Sequence, residues 1–350
     1  MAEFNFYKTC VGSMPHDTVD VVSYIISNFK EIPFWPQLPK RSFLENMYVQ
    51  YSEKLPNIVI DEKAKKIHVD TDKDIYPAME EALGKYLEED VDYFSIGEKY
   101  AAGFYEFLSF KDNLKGSEDL KFLKGQVVGP VSLGLALRDK HDKCILYYKE
   151  YEELLPKFLA MKARWQVRKL KEIFPKVIIF IDEPYLTSIG SSFINIDRDK
   201  VRSYINEMAD IIKKEGALCG LHCCGNTEWG FLMDTNIDIL SFDAFNFDRE
   251  LLLYTDDLRK FFNAGKVIAW GIVPTSRDDI EKTGIHALKG RLQDIIVKLR
   301  KKGIPQEKLF SHSILTPSCG CGTLTRSECE IVLEKLDMLC DKLWLKNPTF

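Results

Sequence analysis

Val177-Ile178-Ile179-Phe180-Ile181-Asp182-Glu183-Pro184 sets five apolar residues against an abrupt acidic stop. Apolar runs of about four to eight residues read as buried strands. Long charged stretches flank this one. Tyr148 to Ile173 precedes it and Asp199 to Glu215 follows, both of helical character. Pro156 is expected to break the first of these or to start a second helix.

The same pattern recurs along the chain. Short apolar runs lie at Phe6 to Gly12, Ile32 to Leu38, Gln126 to Val128, Ala217 to Leu221, Ile237 to Phe242, Val267 to Ile272 and Leu309 to Leu315. The Pro-rich second run has the weakest strand character. Further helical stretches are expected at Leu288 to Lys302 and Ser327 to Lys346. Eight strands alternating with helices predict an α/β fold, a (β/α)8 TIM barrel, over a doubly wound sheet. Many of the strands end in polar residues, and a barrel directs all those ends to one face. Glu45 to Lys124 is too long for one connection. It is expected to hold an insertion after the second strand, with a hairpin over Ile58 to Val69. The whole chain, 1–350, reads as a single domain.

Composition narrows the function. Of 350 residues, 45% are hydrophobic and 29% charged, with a net charge of −5. That is a soluble globular balance, not a disordered one. No uncharged apolar run approaches the length of a spanning helix, so no membrane partner is expected. An acidic chain is a poor match to duplex binding, and no nucleic-acid partner is expected. The opening residues MAEFNFYKTC lack a basic region and an apolar core, so the expected location is cytoplasmic. Nine cysteines in a reducing compartment are packed, catalytic or metal-bound thiols. No phosphate-binding loop of the G-x-x-x-x-G-K-[ST] type occurs.

The sharpest local feature is Leu221-His222-Cys223-Cys224-Gly225. Residues two apart on an extended chain point the same way, so His222 and Cys224 share a side. An imidazole and a thiolate make half of a tetrahedral zinc site. Ser318-Cys319-Gly320-Cys321-Gly322 follows the last strand, where a barrel would bring Cys319 to the same face. Asp243 ends the strand after His222 and Cys224 and offers a carboxylate oxygen. Nitrogen, two sulfurs and oxygen all suit zinc. Cys321 is open: it could replace Cys319, join it, or exchange with it. Cys10, Cys144, Cys219, Cys223, Cys329 and Cys340 read as packed thiols. Phe34-Trp35-Pro36-Gln37-Leu38-Pro39-Lys40-Arg41 is equally a wall of the barrel mouth or a packed loop.

Gly12-Ser13-Met14-Pro15, Asp182-Glu183-Pro184, His222-x-Cys224 and Pro317-x-Cys319-Gly320 together resemble the catalytic half of cobalamin-independent methionine synthase. They also resemble the wider superfamily of uroporphyrinogen decarboxylase and the zinc methyltransferases that use corrinoid proteins. The resemblance runs from Thr9 to about Arg326. It implies zinc ligands at His222, Cys224 and Cys319. The family's methionine synthases add a Glu after the next strand, and Asp243 stands at the similar place, one methylene shorter. The resemblance further implies that Asp182 holds the amino group of homocysteine and Ser13 lies near its carboxylate. A second acid for the amine is expected at Glu45, with Glu98 in reserve.

The implied function is a zinc-dependent methyltransferase acting on a small thiol, homocysteine above others, to give methionine. Asp182 and Asp243 are its expected catalytic acids. Asp243 would be a weak carboxylate ligand that leaves as the thiolate arrives. The expected methyl donor is a corrinoid protein or methylcobalamin. The family's folate-dependent enzymes carry a further N-terminal half and a His after the seventh strand. Neither has a counterpart in this sequence, where that strand ends Trp270-Gly271-Ile272-Val273-Pro274-Thr275. Two alternatives are a decarboxylase of the uroporphyrinogen type and a non-catalytic barrel that binds corrinoid or zinc.

Overall fold

The structure is a computed structural model and describes residues 3–189 and 196–340. Nine strands occur among these: β1 (Tyr7–Lys8), β2 (Ile58–Asp61), β3 (Lys66–Val69), β4 (Leu123–Val128), β5 (Val177–Asp182), β6 (Leu218–Cys223), β7 (Ile239–Phe242), β8 (Val267–Val273) and β9 (Ser313–Pro317). Seven of them form one sheet in the order β1-β9-β8-β7-β6-β5-β4, every pair parallel. β2 and β3 form the expected antiparallel hairpin, with Ile58 opposite Val69.

The second expected strand is corrected by the structure. Pro33, Pro36 and Pro39 remove every third backbone donor from this stretch, so no continuous ladder can form. Single parallel bridges remain, Phe34 to Lys124 on one side and Gln37 to Ser13 on the other. The two edges of the sheet therefore approach the same stretch, which shows that the sheet curls. The arrangement is TIM-barrel-like, but its ladder does not close.

Each of β4, β5, β7, β8 and β9 is buried at every position, as expected for parallel strands covered on both faces. Ile178, Phe180, Ile239, Val267, Ala269 and Ile314 pack in one small cluster. Their alternates Ile179, Ile181, Leu240, Ile268 and Leu315 join the larger cluster with the helices. The small cluster marks the concave side of the sheet. Side chains alternate along a strand, so Asp182 follows Phe180 to that side, and Ser241 follows Ile239.

The helices lie close to their expected bounds. Arg198–Lys214 and Ile285–Lys301 each differ by a few residues. Arg326–Leu339 covers the last expected helix, whose residues 341–346 lie outside the described residues. The break expected at Pro156 is absent, because Lys149–Lys171 is continuous. Proline removes one internal hydrogen bond at a cost of about 3 kcal/mol. Buried side chains from Tyr151 to Leu170 on both sides of it keep the helix continuous. No helix among the described residues is long and apolar enough to cross a membrane.

Candidate functional site

His222 stands near the C-terminal end of β6 and is 3% exposed. It pairs in register with Ser241 of β7. Its Nδ1 lies 2.9 Å from Ser241 Oγ, and its Nε2 is buried with no hydrogen-bond partner. An imidazole anchored at one nitrogen and bare at the other is prepared to ligate through the bare one. Cys224 leaves β6 two residues later. Cys319 arrives from the turn after β9. The ligand atoms of His222, Cys224 and Cys319 all lie within 4.8 Å of one another.

The two thiols act on each other electrostatically. Cys224 is pushed down to about 4, first by a hydrogen bond from Cys319 and then by His222. Cys319 moves the other way, well above the ordinary thiol range, because it keeps the proton beside a thiolate. A thiolate, a second thiol and an unsatisfied imidazole nitrogen suit a soft or borderline cation such as zinc.

The turn that carries Cys319 is stitched to Ser13, in the segment that follows β1. Ser13 accepts from Cys321 N–H through its carbonyl at 2.9 Å and from Gly322 N–H through Oγ at 3.3 Å. A Cβ at Gly320 would overlap the Ser13 hydroxyl, so the close approach requires glycine there.

A cavity of about 450 Å³ opens above this trio. Ser13, Glu45, Asp182, His222, Cys224 and Cys319 all line it. Asp182 is 5% exposed and its Oδ1 has no hydrogen-bond partner. Burial pushes its carboxyl up to about 6, against the pull of His222 and Lys124. Lys124 lies deeper on the concave side. Its Nζ donates to Val11 O at 2.6 Å and sits 4.5 Å from the centre of the Phe180 ring.

Glu183 points away from the cavity and does structural work. Its carboxylate accepts from Val131 N–H at 2.9 Å, Ser132 N–H at 2.8 Å and Ser132 Oγ at 2.6 Å. These donors open the helix Pro130–Ala136, so Glu183 ties that helix to the end of β5.

Two expected residues are brought into neither the trio nor the wall of the cavity. Asp243 ends β7 but is outside the three-residue ligand cluster. Its Oδ1 accepts from Asn246 N–H at 2.9 Å and its Oδ2 from Asn246 Nδ2 at 2.7 Å. It therefore caps the helix Ala244–Leu251, a role that a short carboxylate fills readily. Glu98 is exposed and is not among the residues lining the cavity. Glu45 does line it, but both oxygens are engaged, by Arg41 Nη1 at 2.8 Å and Leu38 N–H at 3.3 Å. Burial pushes its carboxyl up to about 7, with Arg41 opposing. Cys321 is 1% exposed and outside the trio, its thiol pushed up by the neighbouring Cys329 and by burial.

Sequence reasoning missed Ser241 and Tyr48; Tyr48 lines the cavity, as do Gln37, Pro39 and Lys40 of the stretch read as a possible wall of the barrel mouth. Ser241 had a signal. It lies two residues before Asp243 and so shares its side of β7.

No protein-family model matches the chain, and no curated protein matches it. Among solved structures it is similar to a B12-independent methionine synthase from Shewanella sp. W3-18-1, in complex with selenomethionine. The TM-score is 0.45 at 20% identity, over 66% of this chain and 65% of that one. This chain thus spans less than two thirds of that protein's length. A putative vitamin-B12 independent methionine synthase from Listeria monocytogenes gives a TM-score of 0.43 at 14% identity, over 77% and 88% of the two chains. A pneumococcal exo-β-D-N-acetylglucosaminidase with tandem catalytic modules gives 0.47 at 11%, over 97% and 86%. Likeness this distant says nothing about chemistry, so the functional reading rests on the side chains of the site.

Proposed function

We propose that this protein is a zinc-dependent methyltransferase that acts on a small amino thiol. Homocysteine is the acceptor, methionine the product, and methyl comes from methylcobalamin, free or on a corrinoid protein. The observation that carries the reading is the bare, buried Nε2 of His222 facing two thiols beside a cavity. His222, Cys224 and Cys319 are the zinc ligands. Zinc held there would supply Lewis acidity that keeps an acceptor thiol, ordinarily of pKa about 8.5, deprotonated at neutral pH.

The remaining residues orient the acceptor. Asp182 offers an unsatisfied carboxylate oxygen to the substrate ammonium. The Ser13 Oγ already accepts from Gly322, so its own proton is free to donate to a substrate carboxylate. Holding both ends of an amino acid fixes where its sulfur points, which is the larger part of catalysis for an in-line transfer. The transfer forms an S–CH3 bond and breaks a Co–CH3 bond, with the electron pair left on cobalt. Such a leaving group needs no proton. Consistent with this, among the described residues the one histidine lining the cavity is His222, which belongs to the metal trio.

The decarboxylase reading has less support. A tetrapyrrole with several carboxylates calls for several cations, and among the described residues those lining the cavity include one, Lys40, against Glu45 and Asp182.

The deciding measurement is zinc content with zinc K-edge absorption, with and without L-homocysteine. We expect one zinc with two sulfur neighbours, rising to three on addition of the thiol. Protein purified reduced and without chelators that holds no zinc would overturn the reading. The donor is tested separately by mixing methylcobalamin with homocysteine and following methionine. Transfer from methyl-folate alone would overturn the donor and leave the zinc chemistry standing.

A further inference from the structure

A second cavity, of about 500 Å³, lies among the helices Arg198–Lys214, Trp229–Met233 and Thr255–Asn263. That volume is within the range of small-molecule sites, about 300–1,000 Å³. None of the described residues lining it borders the cavity beside His222.

Two cations converge there on adjacent residues. Arg202 Nη2 faces Asp234 Oδ2 at 3.6 Å, and Lys266 Nζ donates to Thr235 O at 2.7 Å. Each also lies over a ring. The Arg202 guanidinium is 5.2 Å from the centre of Phe231, and Lys266 Nζ is 5.1 Å from that of Phe261. The rings hold the two charges in place without neutralising them. Arg202 Nε is buried with no hydrogen-bond partner, and the contact to Asp234 is too long for a hydrogen bond. The guanidinium is thus an unfilled fork. Lys266 has given one of its three donors to Thr235. Burial, with Lys213 beside it, pushes the Lys266 pKa down, and Asp238 and Asp234 oppose. A cation so placed gains from an added anion.

Charge narrows what the anion is. Among the described residues lining the cavity, Arg202, Lys260 and Lys266 stand against Asp234 and Asp257, which leaves one positive charge over. The Asp257 to Lys260 pair is 3.5 Å long, and both it and the Asp234 pair are largely exposed. Pairs like these contribute little and do not fill the fork. A single negative charge balances the excess, whereas a doubly charged phosphate would crowd the two acids. Phe231 and Met233 supply an apolar wall. Gly230 keeps that wall close to the helix Thr255–Asn263, because a Cβ there would fall 2.8 Å from the Tyr254 ring and 2.9 Å from Asp257 Oδ2.

We propose that this cavity is a second ligand site, which takes a small organic carboxylate with its oxyanion between Arg202 and Lys266 and its apolar body on Phe231 and Met233. Arg202 grips the two carboxylate oxygens with its fork, and Lys266 adds a point charge. The site does not depend on the methyltransferase reading and shares no residue with it.

The test uses the full chain with 13C-labelled methionine methyl groups. Met233 lines this cavity and Met47 lines the one beside His222, so each reports on its own site. The probes are 2-naphthoate, its neutral amide and inorganic phosphate. Naphthoate is expected to shift the Met233 resonance saturably and leave Met47 unmoved, with the amide and phosphate at least about tenfold weaker. Arg202→Gln and Lys266→Gln should each weaken naphthoate by about 10- to 100-fold, the range for hydrogen bonds to a charged group. Arg202→Lys keeps the charge without the fork and should lose less. Unmoved resonances of the other methionines show that each variant is folded. No saturable shift at Met233, a shift at Met47 in its place, equal affinity for acid and amide, or variants that bind as wild type would each overturn the proposal. Phosphate binding tighter than naphthoate would overturn the carboxylate assignment.

Discussion

Ser241 is a small residue with a large assigned effect. Its hydroxyl is the partner of His222 Nδ1, and that contact leaves Nε2 as the free nitrogen. Losing such an outer partner ordinarily lowers metal affinity by about 10- to 100-fold. Ser241→Ala is expected to do so in a chelator competition, with little change in the thermal midpoint. Unchanged zinc affinity would mean that packing alone orients the imidazole. At this scale the sequence was readable where strand parity decides. His222 and Cys224 sit two apart, and Cys319 follows a strand that ends at the same face. It could not choose where a short polar side chain had two possible partners. Asp243 offers the same carboxylate to a metal or to a helix, and Asn246, three residues on, takes it.

Elements were legible to within a few residues when they were long or strongly apolar. Shorter runs drifted: the strand expected over Phe6 to Gly12 is only Tyr7–Lys8, and the one expected over Leu309 to Leu315 begins at Ser313, after the helix Gln306–Ser311. Two further failures involve proline. At Pro33, Pro36 and Pro39 the missing donors removed a strand that the apolar content suggested. At Pro156 one missing donor was outweighed by tertiary packing, and the helix Lys149–Lys171 runs on. The same helix buries Lys162 completely, with no hydrogen-bond partner for Nζ and the Phe158 ring centre 5.1 Å away. Burial pushes its pKa down to about 7. The unfolded chain, with an ordinary lysine near 10.4, binds more protons from about pH 7 to 10. Stability therefore rises with pH across that window and is lowest below it. Lys162→Met should stabilise the protein at pH 7 by about 1–3 kcal/mol. The gain should shrink toward pH 10, as read from urea midpoints. A variant less stable than wild type at pH 7 would show that the amine has a partner after all.

For the whole molecule, the curled parallel sheet does one thing above all. It gathers the ends of its strands, so that residues far apart in sequence meet at one cavity. Order and punctuation of the strands were enough to foresee that gathering. They were not enough to foresee that the ladder stays open beside the cavity, where among the described residues isolated bridges of Phe34 and Gln37 take the place of a paired strand. Hydrogen exchange should report this directly. The amides of Trp35 and Gln37 are expected to exchange at least about tenfold faster than those within β5 to β8. Equal protection would mean that the seam is as cooperative as the rest of the sheet. An open seam also bears on descent. Residues along it can be traded without unzipping a strand pair, whereas His222 is clamped inside a continuous ladder. In a lineage built on this scaffold, the choice of acceptor should drift readily while the metal chemistry stays fixed.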